Sequence, residues 1–204
     1  MSLGLAVLLS GGGTTLQNII DCIERGELDA KVHCVIASQR DAYGLVRARN
    51  HGIPHTAIVR RDFPDAQAFR AATWAEIRRH PVDLVALAGY MCLLDVPPDF
   101  ANRIVNVHPA LIPAFCGKGM YGHHVHEAVI AYGAKISGAT VHIVDTEYDH
   151  GPIIIQEAVP VLDDDTPGTL AERVQAKERE IYPRALQWFA EGRVRVEGRR
   201  VKIA

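Results

Sequence analysis

Leu3 to Leu9 is a nearly unbroken apolar run that stops at Ser10-Gly11-Gly12-Gly13, the pattern of a strand buried on both faces and ending in a tight turn. From Leu16 the apolar residues Leu16, Ile19, Ile20 and Ile23 recur at helical spacing, with Thr14 or Thr15 placed as N-cap and Gly26 as the stop. The alternation continues: it predicts a strand near Val32 to Ala37, a helix near Gly44 to His51 closed by Gly52, a strand near His55 to Val59, and a longer helix from about Asp65 to His80. Leu84 to Ala88 and Ile104 to His108 follow as apolar strands, with Pro97-Pro98 opening a short helix between them.

The second half has a different pattern. A helix near Val125 to Tyr132 precedes two strands, Ala139 to Val144 and Ile153 to Val159, joined by Asp145 to Pro152. A helix from about Thr169 to Glu191 comes next, and the alternation around Glu197-Gly198 predicts a terminal hairpin. Together these elements predict an α/β fold: a doubly wound, mostly parallel, Rossmann-like sheet with helices on both faces, mixed in its second half. We read residues 1–204 as one domain, with halves at 1–100 and 101–190 and a hairpin over 191–204.

With 204 residues, of which 48% are hydrophobic, the chain has material for a sizeable core. A net charge of -2 gives no global attraction to nucleic acid or anionic lipid. No apolar stretch is long enough to cross a bilayer, and the start carries no basic segment of a signal peptide. The four cysteines, Cys22, Cys34, Cys92 and Cys116, lie far apart with no C-x-x-C pair, which suits reduced thiols in a cytoplasm.

Three segments could carry chemistry. Ser10 to Thr15 joins glycines, which let backbone approach a ligand, to hydroxyls and free N–H groups at a helix start; such a turn favours phosphate. It is neither a P-loop nor a dinucleotide fingerprint, since no lysine follows the glycines and the spacing differs. Asn106 and His108 fall on one side of a strand end, because side chains alternate with a period of two. There an amide N–H and an imidazolium could hold a developing oxyanion. Asp149 lies in a loop with Asp145, Glu147 and His150; brought against His108, its carboxylate would favour the charged imidazole. His123, His124 and His126 lack the ligand spacing of a metal site, so no metal is expected. His142 alternates with Thr140 and Val144, as an interior or site-lining histidine would, while Trp74 and Trp188 fall in helical segments as core residues do.

LLSGGGTTLQNII, LAGYMCLL, IVNVHPALIPAF, GATVHIVDTEYDHGPIIIQ and QAKEREIYPRALQWFAEGR, in this order over nearly the whole chain, resemble the glycinamide ribonucleotide transformylase family, within the formyltetrahydrofolate-dependent formyltransferases. The resemblance implies the formyltransferase fold and transfer of the formyl group of 10-formyltetrahydrofolate, as cosubstrate, to the amine of glycinamide ribonucleotide in purine biosynthesis. It implies Asn106, His108 and Asp149 as the catalytic set, Gly13, Thr14 and Thr15 around the ribonucleotide phosphate, and Glu178 at the glycinamide end. For the folate it implies Met91, Cys92, Leu93 and Leu94, with Asn106, Asp145, Thr146 and Glu147. The expected protein is cytoplasmic, a monomer or homodimer, with no nucleic acid, membrane or metal partner. Two departures stand out: Gly-Gly-Gly-Thr-Thr replaces the Gly-Asn-Gly-Ser-Asn of many relatives, and Cys116 to His124 is longer than in some. Formylfolate hydrolysis by the same residues, and a non-catalytic folate- or nucleotide-binding module, are the competing readings.

Overall fold

A computed structural model describes residues 2–204 and divides into two compact units, one ending at Val105 and the other running from Asn106 to Ala204. In the first unit β1 (Leu3–Leu9), β2 (Ala30–Ala37), β3 (His55–Ala57) and β4 (Leu84–Leu87) lie in the order β3-β2-β1-β4, all paired parallel. Helices α1 (Thr14–Glu24), α2 (Tyr43–Asn50) and α3 (Ala66–Ile77) connect them. Leu5 to Leu9 have no exposed surface, which is why β1 reads as a continuous apolar run rather than an alternating one. Each leucine or valine among them removed from water contributes roughly 1.5–3 kcal/mol.

β5 (Ile104–His108) begins in the first unit and ends in the second. The second unit continues with α4 (His123–Tyr132), β6 (Ile136–Ile143), β7 (Ile153–Pro160), α5 (Pro167–Ala190), β8 (Val194–Glu197) and β9 (Arg200–Ile203). Its strands follow in the order β5-β6-β7-β9-β8, with β6–β7 and β8–β9 antiparallel and β7–β9 parallel at Ile153 and Arg200. The mostly parallel α/β fold with antiparallel strands in its second half is therefore the one the alternation predicts.

Boundaries differ from the sequence reading where local chemistry competes. The residue capping α1 is Gly13 in the left-handed region (φ 70°), and neither threonine precedes the helix. α5 starts before Thr169, because Thr166 and Thr169 form a reciprocal capping box and Pro167 sits in the first turn. β6 starts at Ile136 rather than Ala139: Gly138 is a strand residue, and a Cβ there would collide with the carbonyl of Glu157 on β7. α3 ends at Ile77, short of His80, and β3 ends at Ala57, where the chain turns into a 3-10 turn at Arg60–Asp62.

Candidate active site

The period of two along β5 puts Asn106 and His108 on one side, as expected, and the loop after β6 brings Asp149 to both. One carboxylate oxygen, Oδ1, accepts from Asn106 Nδ2 at 3.4 Å; the other, Oδ2, lies 3.5 Å from His108 Nδ1. Oδ2 also accepts from the backbone N–H of Gly117 at 2.9 Å. His108 is 3% exposed, and its Nε2 donates to the carbonyl of Phe115 at 2.8 Å. All these groups belong to the second unit.

A fourth side chain completes the cluster. His142 on β6 is buried; its Nδ1 donates to the carbonyl of Ile143 at 2.9 Å, and its Nε2 lies 3.1 Å from Asn106 Nδ2, an amide nitrogen that can only donate. His142 thus orients the carboxamide. Alternation with Thr140 marked it as interior or site-lining, but its partner is set by strand pairing, which the sequence does not display. Thr140 on the same side of β6 accepts from the N–H of Ile112 and donates to the carbonyl of Ala110, so the chain leaving His108 is fastened to β6. Opposite His142 the β6–β7 ladder skips one residue, Ile154, a bulge of the kind that re-aims side chains beside functional sites.

The charge state of His108 differs from the sequence expectation. Burial pushes the imidazole below its ordinary value, and this outweighs the opposing pull of Asp149 and of the Phe115 carbonyl. The free protein accordingly holds His108 neutral at pH 7. Burial alone would raise the carboxyl of Asp149, but His142, then His108, and the N–H of Gly117 together hold it below its ordinary value. Asp149 is an ionised acceptor. It also occupies the left-handed region (φ 52°), which aspartate tolerates better than most residues, at a cost of order 1 kcal/mol.

In the first unit, Gly11 to Gly13 form the turn after β1. Gly13 has φ 70° and packs on α2 so closely that a Cβ would lie 2.6 Å from Cα of Gly44. The N–H of Gly44 donates to the carbonyl of Gly11 (3.1 Å) and Arg47 Nε to that of Gly12 (2.9 Å), so α2 clamps the turn. No side chain caps α1, which leaves the N–H groups of Thr14 and Thr15 at its start available to an anion. Beside the turn, Ser10 Oγ accepts from Ser38 Oγ (2.6 Å) and from the N–H of Met91 (2.8 Å). Met91 and Leu93 are exposed, Cys92 is half-buried and Leu94 is buried.

The remaining expected residues are spread over the second unit. Asp145 accepts from the N–H of Glu147 (2.9 Å) and pairs with His150 (2.7 Å), while Thr146 and Glu147 face solvent. Glu178 is half-buried on α5, spaced helically between Val174 and Ile181, which are buried; burial pushes its carboxyl up to about 7, against the opposing charge of Arg179. His123 and His124 flank Glu127, whereas His126 is buried with Nδ1 lacking a hydrogen-bond partner. Trp74 is core, with its Nε1 donating to Asp95 (2.9 Å). Among the described residues no helix is long and apolar enough to cross a membrane.

An amide donor, an imidazole and a carboxylate gathered where a strand ends are the equipment of acyl-group transfer, in which a tetrahedral oxyanion must be held while a proton moves. The chain belongs to the formyl transferase family, whose model matches residues 3–186. It is 39% identical over 195 residues to a protein from Haemophilus influenzae named phosphoribosylglycinamide formyltransferase, with 95% of this chain and 90% of that one covered. The crystal structure of glycinamide ribonucleotide transformylase 1 from Symbiobacterium toebii matches with a TM-score of 0.92 at 43% identity, covering 99% of this chain and 94% of that one. A formyltetrahydrofolate deformylase from Pseudomonas syringae matches with a TM-score of 0.88 at 26% identity, over 100% of this chain and 66% of that one.

Proposed function

We propose that the protein transfers the formyl group of 10-formyltetrahydrofolate to the amine of N1-(5-phospho-D-ribosyl)glycinamide, giving the N2-formyl product and tetrahydrofolate in purine biosynthesis. The observation that carries this reading is the convergence of Asn106 and His108 on Asp149, in a formyl transferase whose relatives over nearly its whole length bear that enzyme's name.

The amine attacks the formyl carbon, a new C–N bond forms, and the carbonyl oxygen becomes an oxyanion. Asn106 Nδ2 offers it an N–H, with the carboxamide oriented by His142. The proton of the attacking amine passes by way of the Asp149 carboxylate to Nδ1 of His108, neutral beforehand; as imidazolium the ring is supported by Asp149 and turns its Nε2–H to the oxyanion. Collapse breaks the bond to the folate nitrogen, and that nitrogen receives the proton. Both Asn106 Nδ2 and His108 Nε2 are engaged within the protein, so the substrates must draw these donors from Asp149 and the Phe115 carbonyl.

The turn of Gly13, Thr14 and Thr15 suits the phosphate of the acceptor through its free N–H groups and hydroxyls. Glu178, with a carboxyl poised near neutrality, suits the glycinamide end. Met91 to Leu94, Asn106 and the loop of Asp145, Thr146 and Glu147 are the folate contacts. The proposed setting is cytoplasmic, with the protein a monomer or homodimer.

Incubation with 10-formyltetrahydrofolate, with and without the glycinamide ribonucleotide, tests the reading. Tetrahydrofolate release that requires the acceptor and matches formylated product is expected. Release at the same rate without acceptor would replace transfer by hydrolysis, the reaction named for the Pseudomonas syringae relative.

A further inference from the structure

The first unit holds a cavity of about 460 Å³ that the proposed reaction does not use. It lies at the start of β2 and the C-terminal ends of α1 and α2, lined by Ala30 to His33, by Ile20, Ile23 and Glu24, and by His51 to Pro54. The glycine turn follows the opposite end of β1, which runs parallel to β2. Seven residues of extended strand separate the two places by about 20 Å.

The cavity's chemistry is divided. Ile20, Ile23, Val32, Ile53 and Pro54 supply apolar wall, while Lys31, His33 and His80 bring three basic side chains to one edge. His33 is placed there by a specific irregularity. Leu5 pairs with Val32 and Ala6 with Cys34, so His33 is the extra residue of a β-bulge, a device that re-aims a side chain. Its ring rests over Gly4, where a Cβ would lie 3.3 Å from Cδ2 of His33. Of the nearby carboxylates, Asp83 is engaged with the N–H of Gly4 (2.8 Å), Glu24 with His51 (3.1 Å) and Glu76 with His80 (3.4 Å).

We propose that this cavity binds a small organic acid, with its hydrocarbon part against the isoleucine, valine and proline wall and its carboxylate among Lys31, His33 and His80. A pocket of this size, mostly apolar with a few convergent polar groups, has the form of a small-molecule site. His80 has Glu76 beside it, whereas the one carboxylate among the lining residues, Glu24, is engaged with His51. Burial, and then the charges of Lys31 and His80, hold the His33 imidazole below its ordinary value, with only Asp83 opposing. A bound carboxylate reverses that balance, so its entry draws a proton onto His33 and binding strengthens as pH falls.

Calorimetric titration of the whole protein with hexanoate tests the site, with hexan-1-ol and hexylamine as neutral and cationic counterparts. One-to-one hexanoate binding is expected, at least about tenfold tighter than either counterpart and tighter at pH 6 than at pH 8. Ile23→Trp, which fills the cavity, should abolish it. Lys31→Glu, on the exposed rim, should weaken it about tenfold and leave acceptor-dependent tetrahydrofolate release unchanged. His33→Gln should reduce the pH dependence. Absence of saturable hexanoate binding, equal affinity for all three probes, or hexanoate affinity unchanged in Lys31→Glu would overturn the proposal, whatever becomes of the transferase reading.

Discussion

His108 and Asp149 face each other with Nδ1 3.5 Å from Oδ2, while the second nitrogen of the ring is held by the carbonyl of Phe115 at 2.8 Å. The imidazole is anchored through Nε2, and burial keeps it neutral at pH 7 in spite of the carboxylate. A proton added before substrate arrives would leave His108 unable to accept one from the amine. The acidic limb of kcat/KM should therefore fall below the ordinary histidine value of about 6.5, with activity rising as pH increases through it. Asp149→Asn removes the group that favours the imidazolium, so it should move the limb lower still and reduce turnover. A limb above the ordinary value in the wild-type protein would contradict the role given to burial.

Asn106 offers an amide donor near the end of β5. Asn106→Ala should lower kcat about 10²- to 10³-fold while the thermal unfolding midpoint changes little, because the side chain is only half-buried. Near-normal turnover in the purified variant would remove Asn106 from the chemistry.

His142 acts through Asn106 in this scheme and touches no substrate. His142→Phe keeps the ring volume but cannot accept from Asn106 Nδ2, so kcat should fall about tenfold, as expected for one disordered hydrogen bond. KM for the folate should stay near its wild-type value. A change in KM alone would give His142 a different part.

Gly13 combines a left-handed backbone with contact against Gly44. Gly13→Ala should destabilise the protein by about 1–3 kcal/mol and raise KM for the ribonucleotide more than KM for the folate. Urea unfolding and initial rates at varied acceptor concentration check the two parts separately.

Glu178 carries a carboxyl whose value is raised to about 7 in the folded protein, against about 4.3 in an unfolded chain. The folded state therefore binds the extra proton, and stability falls as pH rises from the unfolded value through about 7. Glu178→Gln should match the wild-type protein near pH 4 and exceed it at pH 8 by roughly 1–3 kcal/mol, measured by urea unfolding. If Glu178 meets the acceptor, the same substitution lowers activity.

The parts of the fold visible in the sequence are those where one physical requirement dominates. β1, β4 and β5 read correctly as strands because both of their faces are buried, and the two-residue period was enough to put Asn106 beside His108. The cap of α1 was misread because threonine hydroxyls are good caps in general, whereas here the close approach of α2 demands Gly13. β6 begins three residues before the expected Ala139, and the proximity of the Glu157 carbonyl explains the glycine within it at Gly138. The charge state of His108 also lay beyond the sequence, since it depends on how deeply the ring is buried. The same holds for His142 with Asn106 and for His33 at its bulge: each depends on the register between strands far apart in the chain.

Gly151 sits so near the carbonyl of Ile143 that any Cβ would overlap it, and two residues earlier Asp149 reaches Asn106, His108 and Gly117 at once. The loop's length is thereby set from both sides. Side chains at Thr146, Glu147 and Tyr148 face solvent and can vary without moving the carboxylate. A single inserted or deleted residue between Asp145 and Gly151 would instead carry Asp149 away from all three partners together. In related proteins this stretch should thus vary very little in length.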